Sequence, residues 1–130
     1  MKYFALLVLL LGNIAFASSE LEITPVGGDF QTLSKDTYYS FNFGNIRLAY
    51  AGYVQWDLRA KEKPVEIKGV YWQGDDYETW TTCPKTLPPG QVCTVGAVFR
   101  PKFIGQRLGR VYIDLYTERF VIDLIGWGVR

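Results

Sequence analysis

Val54-Gln55-Trp56-Asp57-Leu58-Arg59 alternates apolar and polar side chains without a break, and Tyr53 leads into it. In an extended strand successive side chains point to opposite faces. Val54, Trp56 and Leu58 therefore share one face, and Gln55, Asp57 and Arg59 the other. Such a strand lies with one face on a core and the other in water. No part of the chain downstream of its first residues sustains an apolar period of 3.6, so the reading is all-β.

The same pattern recurs on both sides. The charged turn at 61–64 ends the first strand, and Val65-Glu66-Ile67-Lys68 resumes the alternation towards Trp72. Gly69 falls where the parity breaks, which predicts a bulge. Gln73-Gly74-Asp75-Asp76 is a turn, and a short strand follows from Tyr77. Pro88-Pro89-Gly90 closes a proline-rich loop. Cys93, Val95, Ala97 and Phe99 then share a face, and Pro101 stops that strand. Val111, Ile113 and Leu115 point inward, with Tyr112, Asp114 and Tyr116 outward. Thr117-Glu118 reads as a tight hairpin turn, and Phe120, Ile122 and Leu124 form the inner face of the last strand. Leu21 to Val26 and Tyr38 to Leu48 also look extended. Roughly seven or eight short antiparallel strands, with turns every 8–12 residues, are the pattern of an immunoglobulin-like β-sandwich; a closed barrel is the alternative.

The first residues are of a different kind. Lys2 gives a positive start, Tyr3 to Leu11 is a short apolar run, and Ala15-Phe16-Ala17 supplies the small residues of a cleavage site. Residues 1–17 are therefore expected to be a signal peptide, too short to span a bilayer, and the mature chain to be secreted or periplasmic. Removing Lys2 leaves thirteen basic and thirteen acidic side chains. That balance argues against nucleic acid or anionic lipid as the main partner, and no membrane insertion is expected after cleavage. Residues 18–37 are read as an N-terminal strand or arm, and 38–130 as the immunoglobulin-like domain.

Cys83 and Cys93 are the two cysteines of the chain. In an exported protein a disulfide between them is the default expectation. A metal pair is the alternative, but no histidine or further cysteine completes a tetrahedral site, so neither metal nor cofactor is expected.

Cys83-Pro84-Lys85-Thr86-Leu87-Pro88-Pro89-Gly90-Gln91-Val92-Cys93-Thr94-Val95 resembles the C-P-x-T-L-x-P-G-x-x-C-T stretch of bacterial ASH-type (Hydin-like) immunoglobulin-like domains. Val98-Phe99-Arg100-Pro101, Gly105 with Gly109, and the ending Leu124-Ile125-Gly126-Trp127-Gly128 are similar to further parts of that pattern, as is Phe41-Asn42-Phe43-Gly44 near the start. The chain departs from it between Ile46 and Val65. The resemblance implies a sandwich related to choice-of-anchor and pilus-chaperone domains. It also implies an interaction module without a general enzymatic role.

Catalytic chemistry finds little footing. Without histidine there is no Ser–His or Cys–His nucleophile. Asp75, Asp76 and Glu78 form the one dense acidic group, and their glycine-containing turn predicts solvated acids rather than a glycosidase pair. The chain is thus expected not to be an enzyme, but an exported interaction module that binds a protein partner or belongs to an envelope or extracellular assembly. A carbohydrate-binding module is the alternative, and a small secreted hydrolase stands behind both. The outward aromatic and apolar side chains of the last two strands, Tyr112, Tyr116, Ile125 and Trp127, are the candidate binding face. Trp56, Phe99 and Phe120 are assigned to the core.

Overall fold

The computed structural model describes residues 21–26, 30–32 and 37–130. The expected signal peptide lies outside them. Ten strands follow one another: β1 (Leu21–Val26), β2 (Phe30–Thr32), β3 (Tyr38–Arg47), β4 (Gly52–Ala60), β5 (Val65–Gln73), β6 (Tyr77–Thr81), β7 (Thr86–Leu87), β8 (Val92–Phe99), β9 (Gly105–Leu115) and β10 (Arg119–Val129). They form two sheets, one of four strands in the order β1-β4-β8-β6 and one of six in the order β2-β3-β10-β9-β5-β7.

Both sheets face a single core. Val54, Trp56 and Leu58 of β4, Cys93, Val95, Ala97 and Phe99 of β8, Val111, Ile113 and Leu115 of β9, and Phe120, Ile122 and Leu124 of β10 are all buried in it. The inward faces read from the alternation are therefore the observed ones. Trp56, Phe99 and Phe120 are each at most 1% exposed. Aromatic contacts run through this core from one sheet to the other. Trp56 meets Phe41 edge to face, Phe41 meets Phe43 in the same way, and Phe43 lies 5.5 Å from Phe99. Tyr77 stacks on Phe99 with ring centroids 4.8 Å apart.

The strand count exceeds the expected seven or eight, and the sheets are not wholly antiparallel. The additional strands are short or terminal. β1 pairs along its own whole length with β4 at the edge of the smaller sheet, with Leu21 opposite Ala60 and Val26 opposite Gln55. β2 pairs with β3, and β7 with the start of β5. Residues 21–26 are thus an integral strand that shares the core through Leu21, rather than a free arm. β3 runs parallel to β10, from Tyr38 beside Val121 to Arg47 beside Val129. Two parallel strands need a crossover, so no local hairpin signal announces such a pair.

Two bulges adjust the register. The break anticipated at Gly69 is present: the β5–β9 pairing shifts between Ile67 and Gly69. A second shift sets Ile125 opposite Asn42 but Trp127 opposite Asn45, so β3 carries one extra residue. Gly44 takes up the turn with φ of 72°, and its N–H donates to Asn42 Oδ1 at 2.7 Å. That left-handed conformation suits a residue without Cβ.

Cys83 and Cys93 form the disulfide, with Cα atoms 4.9 Å apart. Cys93 is buried in β8, and Cys83 follows β6 and packs against the core. The bridge closes the loop that carries β7, whose Leu87 is 2% exposed. Chain-entropy arguments for a loop of this length give about 3 kcal/mol of stabilisation. Replacing both cysteines with serine should lower the unfolding free energy by roughly that amount, with the far-ultraviolet circular dichroism unchanged. Denaturant titration of the two proteins is the check.

Candidate binding face

The outer surface of the six-stranded sheet is assembled from residues of alternate parity to the core. On β9 and β10, Tyr112 pairs with Val121, Arg110 with Asp123, Leu108 with Ile125 and Gln106 with Trp127. β5 extends two of these rows, placing Tyr71 beside Tyr112 and Gln73 beside Arg110. β3 extends them on the other side, with Tyr38 beside Val121, Ser40 beside Asp123 and Asn42 beside Ile125. Three rows result. The first is Tyr38, Val121, Tyr112 and Tyr71; the second Ser40, Asp123, Arg110 and Gln73; the third Asn42, Ile125 and Leu108.

The polar groups here are held in fixed positions. Arg110 Nε donates to Asp123 Oδ1 at 2.6 Å. Arg119 donates twice to Asp114, at 2.6 and 2.9 Å, and its guanidinium lies 4.7 Å from the Tyr112 ring centroid. The Tyr112 hydroxyl donates to Gln73 Oε1 at 3.1 Å. Hydrogen bonding to their carboxylate partners raises both guanidinium pKa values above the ordinary one. The two-point Arg119–Asp114 pair fixes geometry as well as charge. Two depressions open on this surface. One of about 490 Å3 lies over Ser40, Arg110, Asp123 and Ile125, and one of about 440 Å3 over Tyr71, Tyr112, Lys68 and Arg119; Gln73 lines both.

The residues singled out from sequence do not make one patch. Tyr112, Ile125 and Trp127 do lie on this face, but the Arg110–Asp123 pair separates Tyr112 from Ile125. Trp127 sits beyond the bulge, opposite Gln106. Tyr116 is not on the sheet: β9 ends at Leu115, and Tyr116 is 71% exposed in the hairpin. The Leu115 N–H donates to the Glu118 carbonyl, so Tyr116 and Thr117, not Thr117 and Glu118, form the turn. Closing the hairpin there sets Arg119 opposite Asp114, where both hydrogen bonds form. That pairing also leaves Asp114 only 8% exposed on a face expected to be wet.

Sequence reasoning missed Tyr38, Tyr71 and Leu108, which are 42%, 49% and 66% exposed. Tyr71 is recoverable by restarting the parity after the Gly69 bulge. Its ring lies back over Gly69, where an added Cβ would meet the phenol oxygen at 2.5 Å. Tyr38 joins only through the parallel β3–β10 pair. β1 does not cover this face, since it pairs in the other sheet.

The acidic turn behaves differently from expectation. Asp75 is exposed, but Asp76 is 5% exposed, and its Oδ2 takes a hydrogen bond from Arg107 Nε. The turn packs between the sheets, so Asp76 is drawn in with it: its carbonyl accepts from the Arg100 N–H, while the Tyr77 hydroxyl donates to the Arg107 carbonyl at 3.0 Å. Burial, reinforced by the charge of Asp76 and partly offset by Arg107, pushes the Tyr77 phenol well above its ordinary pKa. Glu78 pairs with Arg100 at 3.0 Å.

No family model matches the chain, and no curated protein matches it. Solved structures do. A family 123 glycoside hydrolase from Clostridium perfringens, described in work on glycolipid glycan hydrolysis, aligns with 86% of this chain and 27% of its own at a TM-score of 0.65 and 7% identity. The VesB protease of Vibrio cholerae aligns with 90% of this chain and 34% of its own, at 0.59 and 12%. The secreted serine protease VesC of the same organism aligns with 68% and 21%, at 0.53 and 11%. The chain spans about a third or less of each of these proteins. At such identities the likeness is one of fold: an all-β unit of this kind occurs within larger chains.

Asp75 and Asp76 give a sharp contrast in one dipeptide. Asp75→Asn should change stability by no more than about 0.5 kcal/mol. Asp76→Asn weakens the bond to Arg107 in a buried site and should cost about 1–3 kcal/mol. Denaturant midpoints of the two single variants test this.

Proposed function

We propose that this chain is an exported, non-catalytic interaction module with an immunoglobulin-like β-sandwich fold, and that it binds a protein partner on the outer face of the six-stranded sheet. The observation that carries this reading is the row in which exposed Tyr38 and Tyr71 and half-buried Tyr112 flank the buried Val121, beside the Arg–Asp pairs. Aromatic side chains held in place lose little entropy on binding and supply much of the energy at protein interfaces. Two depressions meeting at Gln73 give that face relief.

The disulfide supports export, because thiols oxidise in the periplasm and outside the cell. It also supports the resemblance to ASH-type domains, whose two cysteines it joins. The non-catalytic reading draws on the chemistry of the acids and cysteines. Asp76 and Glu78 are each committed to an arginine, both cysteines to the disulfide, and the chain has no histidine. The hydrolase and protease activities named for the structural neighbours belong to chains about three or more times the matched length.

Carbohydrate is the second reading, favoured by one feature. The depression over Tyr71 and Tyr112 sets two aromatic rings beside the planar polar groups of Gln73 and Arg119, a combination of ring and hydrogen-bonding groups that suits a sugar. The double variant Tyr71→Ala/Tyr112→Ala separates face from fold. With an unchanged circular dichroism spectrum, it should bind the partner captured from the native envelope at least about thirtyfold more weakly, as loss of a hot spot implies. Undiminished binding excludes this face. Selective binding on a glycan array, lost in the same variant, establishes the second reading in place of the first.

A further inference from the structure

One end of the domain carries a surface of different chemistry. It is formed by the β3–β4 loop, residues 48–51, and the β8–β9 loop, residues 100–104. Tyr50, Tyr53, Phe103 and Ile104 are 63%, 68%, 61% and 55% exposed there. Phe103 and Ile104 are neighbours in sequence, so one loop presents two apolar side chains side by side. Isolated exposed apolar residues are ordinary on a soluble protein, but a cluster of this kind marks a contact surface.

Cations surround it. A recess of about 660 Å3 is lined by Tyr50, Tyr53, Arg100, Pro101 and Lys102. The Arg47 guanidinium lies 5.9 Å from the Tyr50 ring centroid. Arg100 shares its charge with Glu78 at the surface, while Arg47 and Lys102 have no carboxylate within ion-pair distance among the described residues.

The two loops are also firmly seated. The Phe103 carbonyl oxygen and Pro101 Cβ lie where a Cβ on Gly128 would stand, at 2.1 and 2.9 Å from it. The Arg107 guanidinium lies 5.3 Å from the Phe103 ring centroid. Ala49 holds a left-handed φ of 75° without being glycine, between the Leu48 N–H bond to the Val129 carbonyl and the Tyr50 N–H bond to the Arg47 carbonyl. Backbone strain of that sort persists only where the surroundings enforce it. The contacts of Pro101 and Phe103 with Gly128 and of the Phe103 ring with Arg107 seat the loop that carries the apolar pair.

We infer that this end docks peripherally on an anionic phospholipid surface. Phe103 and Ile104 enter the boundary between headgroups and acyl chains, the tyrosines lie at headgroup level, and Arg47, Arg100 and Lys102 meet the phosphates, one of which the recess admits. Exposed Phe103 and Ile104 at the same end as exposed tyrosines, with Arg47 and Lys102 free of carboxylate partners among the described residues, match the apolar boundary and negative charge of an anionic membrane surface. The contact is superficial; no helix among the described residues is long and apolar enough to cross a bilayer. These residues are separate from the Tyr71–Tyr112 face, so the two proposals stand or fall independently.

Vesicle co-sedimentation of the disulfide-bonded chain lacking residues 1–17 tests it. Vesicles containing phosphatidylglycerol should bind at least about tenfold more tightly than pure phosphatidylcholine, and added salt should weaken the binding. Lys102→Glu should lower affinity about fivefold or more, and Phe103→Ser/Ile104→Ser should abolish sedimentation, with thermal midpoints unchanged in both. Tyr71→Ala/Tyr112→Ala should have no effect. Absence of binding to anionic vesicles at low salt overturns the inference. So does binding insensitive to both tip variants, or binding that soluble glycerol phosphate displaces at millimolar concentration, which would assign the recess to a free phosphate.

Discussion

The two sheets are held in one arrangement by aromatic rings seated on glycines. The ring of Phe99, in β8, occupies the space over Gly126 of β10, where an added Cβ would stand 2.4 Å from it. Tyr77, in β6, does the same over Gly109 of β9, also at 2.4 Å. Each ring belongs to the smaller sheet and each glycine to the larger. The rings stack on one another, and Phe43 of β3 leans on both. A side chain at either glycine would force the sheets apart, and close-packed interiors tolerate little of that. β9 and β10, the central strands of the larger sheet, are fixed from within by this contact.

What lies on the outside follows from that placement. With Val111, Ile113, Ile122 and Leu124 committed to the core, the alternate side chains of the same strands must form the outer face. There Arg110 and Arg119 are paired across the strands with Asp123 and Asp114, and Tyr38 and Tyr71 are left exposed beside them. The other end of the domain inherits its geometry from the same source. Tyr77 anchors the acidic turn, Asp76 meets Arg107, and the loop after Phe99 is pressed onto Gly128. Asp76 Oδ1 remains buried without a hydrogen-bond partner among the described residues, a penalty the surrounding packing must offset. Two surfaces of distinct chemistry, one neutral and aromatic, one apolar and cationic, thus sit on a scaffold organised by a few buried rings.

Much of this was legible in the order of residues. Period-two alternation identified the inner faces of β4, β8, β9 and β10, because burial of one face is a local property of a strand. The Gly69 bulge and the disulfide were legible for similar reasons, the first from a parity break and the second from two cysteines behind an expected signal peptide with no metal partners. The glycines of the terminal L-x-G-x-G stretch were visible as a pattern, but their reason, the rings opposite them, depends on contacts between sheets. The parallel β3–β10 pair was hidden because it joins segments distant in sequence. Asp76 was misread because a turn sequence does not reveal whether the turn faces solvent. Tyr116 was misplaced by one residue of turn register, decided by the Arg119–Asp114 pair across the hairpin.

The seating of Phe99 on Gly126 is tested most directly by a double-mutant cycle. Phe99→Leu shortens the ring and leaves space, and Gly126→Ala introduces a Cβ into the space the ring fills. Each alone should destabilise by about 1–3 kcal/mol. Together they should cost less than the sum by about 1 kcal/mol or more, since the new methyl enters the vacated volume. Strict additivity in the denaturant-derived free energies would contradict the interlock between the sheets.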